Sequence, residues 1–256
     1  MRKLISVLNI GIHSVKVDEL LGQLESGVFV TPNVDHVMKL QKDVEFYRCY
    51  QRADWTVCDS RILYLGAKLL RTPIEEVIPG SSFLPRYCDY HRMNPEVKIF
   101  LLGAGPGVAQ EAMKRINARI GRSIVVGAYS PVFGFEKNEA ECKEIVGIIN
   151  RTDATVLVVG LGAPKQEKWI FNYKDSLTNV RLFMALGATI DFEAGRILRA
   201  PQIFQKMGIE WLYRLIKEPR RLWKRYLIDD IPFFYLILKQ KIGRYKNPFE
   251  HLKTGR

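Results

Sequence analysis

Thr155-Val156-Leu157-Val158-Val159-Gly160-Leu161-Gly162-Ala163-Pro164-Lys165-Gln166-Glu167 runs from an apolar segment through a glycine turn into a helix start. A short apolar run without polar alternation reads as a strand buried on both faces, the habit of parallel sheets. Pro164 suits the first helical position, where its missing N–H would have no intrahelical partner. The same order of strand, turn and helix recurs at Val30-Thr31-Pro32-Asn33 and at Val57-Cys58-Asp59-Ser60. In an open parallel sheet such turns converge at the carboxyl ends of the strands, where ligands bind. A hydroxyl, an amide and a carboxylate brought to one edge read as a site.

Working outward, strands are expected at Leu4–Leu8, Val28–Thr31, Trp55–Cys58, Val97–Leu102, Ile124–Ala128, Thr155–Gly160 and Arg181–Leu186. Helical patterns fall near 33–52, 60–70, 81–92, 107–120, 137–150, 164–174 and 202–217. Repeated βα units predict a right-handed, mostly parallel α/β sheet with helices on both faces, a Rossmann-like core. The pattern changes after Ala200-Pro201, so the chain divides into an α/β core over 1–200 and a basic helical appendage over 201–256. Leu4–Leu8 is too short for the core of a signal peptide and reads as a first strand. No run of about 18 apolar residues stands in the sequence to form a spanning helix. The four cysteines, Cys49, Cys58, Cys88 and Cys142, form no C-x-x-C pair and read as reduced cytoplasmic thiols.

Charge marks the same division. Residues 196–256 hold 15 Lys and Arg against 5 Asp and Glu, a net of +10 out of +12 for the whole chain. In this quarter Trp211, Leu212, Leu215, Ile216, Leu222 and Trp223 alternate with Arg214, Lys217, Arg220, Arg221, Lys224 and Arg225. The apolar stretch Ile231–Leu238 follows, then Lys239, Lys241 and Arg244. A basic amphipathic segment with aromatics suits an anionic membrane surface. A helical cap on the domain, or a dimer contact, fits the same pattern. Nucleic-acid binding is disfavoured, because the Phe233–Leu238 run suits lipid better than duplex.

Three glycines, Gly103, Gly105 and Gly107, follow the strand Val97–Leu102 and precede a helix. Backbone N–H groups at such a helix start can hold a phosphate. The spacing is a poor dinucleotide fingerprint: Val108 takes the last glycine position, and Gly127-Ala128-Tyr129 ends the next strand without an acid for a ribose. A phosphate-bearing donor or merely a tight βα turn stays open. Gly162 and Gln166 pose the same choice, with Gln166 suited to a sugar or uracil edge and Glu167 to a helix N-terminal charge. Asp59 reads as a helix N-cap or a general base, and Thr31 and Asn33 as caps or ligands. The histidines His13, His36, His91 and His251 lack metal-ligand spacing, and Asp229-Asp230 is a poor metal candidate in a basic tail. Neither a metal nor a cofactor is expected.

The chain resembles the WecG/TagA/CpsF family of bacterial glycosyltransferases (glycosyltransferase family 26) over nearly its whole length. The resemblance rests on Thr31-Pro32-Asn33 with Gln41-Lys42-Asp43, on Gly162–Trp169, on Gly187–Gly195, on Arg199-Ala200-Pro201, and on Glu210–Leu215 with Glu218-Pro219-Arg220-Arg221. It implies inverting, metal-independent transfer of a hexose or N-acetylhexosamine (or its uronic form) from a UDP-sugar to a polyprenyl-diphosphate-linked saccharide. The place would be the cytoplasmic face of the cell membrane, in teichoic acid, capsule or exopolysaccharide synthesis. By the resemblance Asp59 is the base, with Thr31 and Asn33 beside it and Gln166 in the pocket. Arg214, Arg221 and Arg225 would reach the diphosphate from the appendage. Homo-oligomerisation is open. The family usually has Asp-Gly where Asp59-Ser60 stands, and arginine and aspartate where Val77 and Ser82 stand. Arg61 and Arg86 are the candidates to replace that arginine. If nothing does, the alternative is a catalytically inactive, membrane-surface scaffold or nucleotide-sugar-binding protein.

Overall fold

The computed structural model describes residues 3–197, 210–217, 219–224 and 228–252. Its centre is a six-stranded sheet of β3 (Gly27–Val30), β4 (Trp55–Thr56), β5 (Ile99–Gly103), β6 (Val125–Tyr129), β7 (Val156–Gly160) and β8 (Leu182–Ala185). All neighbours pair in parallel, in the order β4-β3-β8-β7-β5-β6. The fold is therefore α/β with a fully parallel sheet, as the apolar runs predict.

Each strand serves two cores by simple alternation. Val28, Val30, Phe100, Leu102, Leu157, Val159, Phe183 and Ala185 face one core. Phe29, Ile99, Leu101, Val156, Val158, Leu182 and Met184 face the other. The first core is covered by α2 (Val34–Lys39), α3 (Val44–Arg52), α4 (Arg61–Leu69), α7 (Glu139–Asn150) and α8 (Lys165–Tyr173). The second is covered by α1 (Val17–Gln23), α5 (Gly80–Tyr90), α6 (Val108–Ile120) and α9 (Thr189–Glu193). Thus α6, after β5, and α8, after β7, lie on opposite faces. The chain leaves β5 toward β6 and leaves β7 toward β8. The two connections part between β5 and β7, which opens the crevice where doubly wound sheets bind ligands.

Several boundaries differ from expectation, each for a local reason. The first strand stands where expected but outside the parallel sheet: β1 (Leu4–Val7) pairs antiparallel with β2 (Ile10–His13) in a separate two-stranded sheet, through a two-residue turn at Leu8-Asn9. Its alternating exposure shows one solvated face, unlike the doubly buried parallel strands. The expected helix over 33–52 is two helices, because the Asp43 side chain accepts from Phe46 N–H and starts a new helix after Leu40. Pro164 stands one place earlier than expected, as the N-cap of α8, and the Ala163–Pro164 peptide is cis.

The tail continues as α10 (Glu210–Lys217), α11 (Pro219–Lys224) and α12 (Pro232–Lys241). Residues 202–209 of the expected helix lie outside the described residues. Helix α12 packs against α2 and α4. Phe233 and Ile237 are 1% exposed and belong to the first core. The Phe233 ring fits over Gly66, where an added Cβ would stand 2.8 Å from it. Beyond the helix, Tyr245 O–H donates to Gln41 Oε1 at 2.7 Å and Asn247 Nδ2 donates to Tyr47 O–H at 3.0 Å. The last part of the tail is thus fastened to the α/β unit by apolar burial and by hydrogen bonds. Phe233→Ala should cost about 3–5 kcal/mol of unfolding free energy, measured by urea denaturation. A change within about 0.5 kcal/mol, the range of ordinary surface substitutions, would show that α12 is not part of the core.

Candidate functional site

The carboxyl edge collects the turns that the sequence singles out. Thr31 follows β3, Asp59 follows β4, the turn Leu161–Pro164 follows β7, and Gly187 to Thr189 follow β8. Asp59 N–H donates to Pro32 O at 3.0 Å, which carries the β3–β4 pairing past the end of the strands.

Asp59 is not the helix cap. That role falls to Ser60, whose Oγ accepts from Leu63 N–H at 3.1 Å. The serine that departs from the family pattern thus opens α4 and leaves the aspartate one residue ahead of it. Asp59 Oδ1 accepts from Gly80 N–H at 3.1 Å, the first amide of α5. This bond aims the half-buried carboxyl across the edge. Gly80 is also the meeting point of two hydroxyls: a Cβ there would lie 3.4 Å from both Thr31 Oγ1 and Thr189 Oγ1. Thr31 is buried at 5% exposure and Thr189 at 1%. Asp59, Thr31 and Thr189 are therefore brought together around one glycine, although 158 residues separate the two threonines. Thr189 lies in the Gly187–Gly195 motif but has no local signal of a site residue; the position of β8 beside β3 places it here. Asn33 caps α2, its Oδ1 accepting from His36 N–H at 3.2 Å.

Gln166 lies beneath this edge, 1% exposed. Its Oε1 accepts from Gly162 N–H at 3.2 Å and from Gly187 N–H at 3.0 Å, and its Nε2 donates to Glu167 Oε1 at 3.0 Å. The side chain ties the turn after β7 to the turn after β8. Glu167 is fully buried, and its Oε2 has no hydrogen-bond partner among the described residues. Burial pushes the Glu167 carboxyl up to about 7. Beside it Tyr50 is also buried, its hydroxyl 2.9 Å from His36 Nδ1, and burial followed by the Glu167 charge raises that hydroxyl well above the ordinary value. Cys58, next to Asp59, is buried and its thiol is pushed up to about 12, so it is no nucleophile.

The glycines after β5 divide. Gly103 has φ +123°, and a Cβ on it would stand 2.5 Å from Gly160 O. Its lack of a side chain lets β5 and β7 close at the edge. Gly105 and Gly107 are exposed before α6. Two early amides of that helix are committed: Val108 N–H donates to Gly105 O, and Ala109 N–H to Ser130 Oγ. Asp59 and this loop are four strand positions apart, roughly 19 Å at the usual interstrand spacing.

The cations nearby have partners. Lys39 Nζ holds Asp35 Oδ2 at 2.9 Å and Ala163 O at 3.1 Å. Lys165 pairs with Glu136 at 2.5 Å, and Arg86 lies 3.8 Å from Glu76. Arg61 is exposed at the start of α4, two residues after Asp59. Arg214 and Arg221 lie on α10 and α11, where the backbone alone is described, and Arg225 lies outside the described residues.

Burial of Glu167 fixes a pH effect. The folded chain keeps its proton from the ordinary carboxylate value of 4.5 up to about 7, a window in which the unfolded chain has lost it. Stability therefore falls as pH rises through that window. Glu167→Gln should improve Tm relative to the parent more at about pH 8 than at about pH 5. Equal differences at both values would show that the group titrates normally.

A family model described as "Glycosyl transferase WecG/TagA/CpsF family" matches residues 5–247. The match spans nearly the whole chain, and the chain belongs to that family. It is a glycosyltransferase of cell-surface polysaccharide synthesis, a class that uses a nucleotide-sugar donor and a lipid-linked acceptor.

Proposed function

We propose that this glycosyltransferase moves a hexose or N-acetylhexosamine from a UDP-sugar to a polyprenyl-diphosphate-linked saccharide, with inversion and with Asp59 as general base. The observation that carries the reading is the placement of Asp59. It is excused from capping by Ser60, held by Gly80 N–H at 3.1 Å, and set beside Thr31 and Thr189 at the carboxyl edge. The Asp59 carboxylate takes the proton of an acceptor hydroxyl. The freed oxygen forms a bond to the anomeric carbon from the face opposite UDP. The bond from that carbon to the diphosphate breaks, and UDP leaves with the electron pair. The donor would lie along the edge, its sugar near Asp59 and Asn33 and its nucleotide toward Gly162 and the Gly103–Gly107 loop. The span of roughly 19 Å between those ends suits an extended nucleotide-sugar.

The leaving diphosphate needs positive partners. Lys39 and Lys165 are paired with carboxylates, so Arg61 and the appendage residues Arg214, Arg221 and Arg225 are the proposed source. Helix α12 supports a membrane location. It buries Phe233 and Ile237 in the core while Phe234, Tyr235, Leu238 and Ile242 stay more than half exposed. Lys239 and Lys241 flank that outer face in the last turn. An apolar face rimmed by lysine suits the anionic cytoplasmic leaflet. A site completed by appendage arginines at that surface would limit donor hydrolysis away from the acceptor.

Two measurements test this reading. Asp59→Asn should lower turnover about 10²–10⁴-fold in a UDP-sugar screen with a lipid-diphosphate acceptor, while donor binding by calorimetry survives. Near-normal turnover would remove Asp59 as the base. Phe234→Glu with Leu238→Glu should abolish sedimentation with anionic vesicles and leave Tm unchanged, because both side chains point away from the core. Deleting 201–256 is a poorer test, since it strips Phe233 and Ile237 from that core. Retained vesicle binding in the double variant would refute the lipid-facing assignment of α12.

A further inference from the structure

A lipid-linked acceptor has to satisfy two places on this fold at once. Its reacting hydroxyl must reach Asp59, and its lipid must lie along the apolar outer face of α12. Helix α4 joins the two. It starts two residues after Asp59, behind the Ser60 cap, and its Gly66 lies under Phe233 and Ile237 of α12. We propose that the outer face of α4 is the acceptor subsite: Arg61 takes the phosphate at the head of the lipid, and Leu65 and Leu69 take its first isoprenoid units. This inference rests on the polyprenyl-diphosphate acceptor proposed above.

The residues of α4 are not those of an ordinary solvated helix. Arg61, Leu65, Lys68 and Leu69 are all exposed. At 3.6 residues per turn they fall within an arc of about 100°. Leu63 and Ala67 face the core instead. Gly66 comes about 60° beyond Leu69, so the two leucines lie on the side of the stripe toward α12. Other helices balance their exposed charges, with Asp35–Lys39 on α2, Glu111–Arg115 on α6 and Glu139–Lys143 on α7. From Arg61 to Thr72 there is no acidic residue. The Arg61 guanidinium lies over the Tyr64 ring at 5.1 Å and pairs with no carboxylate among the described residues. A cation in the first turn opposes the helix dipole, so Arg61 does not serve α4 itself. Its fork of N–H donors matches a phosphate. Ser60 is extended, at φ −123° and ψ 143°, which sets the Cα atoms of Asp59 and Arg61 about 7 Å apart. One sugar ring spans that distance, from the hydroxyl that reacts to the phosphate on its anomeric carbon. From Arg61 to Leu69 the stripe then runs about 12 Å beside α12, so an isoprenoid chain laid on it passes onto the outer face of that helix. Arg61 thus serves the acceptor's diphosphate, which leaves the appendage arginines for the departing one.

The test uses the full chain and a soluble probe, farnesyl diphosphate below its micelle-forming concentration, with binding read by calorimetry and no vesicles present. The parent should bind it more tightly than inorganic diphosphate, which lacks the chain. Leu65→Ser with Leu69→Ser should weaken farnesyl diphosphate at least about tenfold, leave inorganic diphosphate unchanged and leave Tm unchanged, since both side chains are exposed. Arg61→Gln should weaken both ligands. Phe234→Glu with Leu238→Glu, the variant expected to lose vesicle sedimentation, should keep the soluble probe. Equal binding of the two diphosphates by the parent, or no binding of either, overturns the proposal. So does loss of the probe in the α12 variant with none in the α4 variant, which would put the lipid on α12 or on the membrane surface alone. In a transfer assay Arg61→Gln should raise the KM of the lipid acceptor and not that of the UDP-sugar; the opposite split would assign Arg61 to the donor. Probe binding that depends on Leu65 and Leu69, without turnover of any UDP-sugar, would overturn the proposed function and leave the subsite. Turnover that Asp59→Asn abolishes, with an acceptor KM indifferent to Leu65 and Leu69, would overturn the subsite alone.

Discussion

A parallel strand buried on both faces has no side chain to spare for chemistry. Val156 to Val159 serve two cores in turn, and so do Ile99 to Leu102. Every group that can touch a ligand is therefore pushed to the turns where strands end. Because all six strands run one way, those turns share one edge. Closure of that edge depends on backbone meeting backbone. Gly103 lies against Gly160 with no room for a Cβ, and Ala104 N–H donates to Gly160 O at 3.1 Å. A Cβ on Gly160 would in turn stand 2.8 Å from Gly187 O. Gly103 and Gly160, the last residues of β5 and β7, are thus first a packing requirement.

Positioning of the chemistry uses the same economy. A helix start supplies an N–H to Asp59, a serine relieves it of capping, and a threonine pair closes round Gly80. Below, Gln166 spends its carboxamide on two turn amides and one buried acid. Gln166 is buried, and its oxygen meets the edge through the backbone N–H groups of Gly162 and Gly187. The buried layer of His36, Tyr50, Gln166 and Glu167 is consequently a support under the site, and it holds ionisable groups where water does not screen them.

The tail joins the two levels. Helix α12 rests on α2 and α4, the helices that begin at Asn33 and Ser60 beside the candidate base. Its inner residues are core residues, and its outer residues are exposed aromatics and aliphatics with lysines in the last turn. One short helix therefore contributes to the stability of the α/β unit and presents the surface assigned to lipid. Charge counting alone separates the last quarter of the chain from the rest, because composition registers what a segment is made of and not what it leans on.

The sequence by itself determined the class of fold, the strand–turn–helix units and the family. Apolar runs have no other use than double burial, and glycine, proline and cap residues mark turns through local geometry. It also singled out Thr31, Asn33, Asp59 and Gln166, because each falls on a strand-end turn. Only the tertiary structure decided which of these meet. The pairing of β8 with β3 brings Thr189 to Thr31, and packing of α5 against the β4 end gives Asp59 its N–H partner. The hairpin of Leu4–Val7 and the break before Val44 escaped the pattern, since a short apolar run does not say whether its other face meets protein or water. The tie from Gln166 to Gly187 spans 21 residues. No local spacing encodes it, because hydrogen bonds between separate turns are set by the order of strands in the sheet.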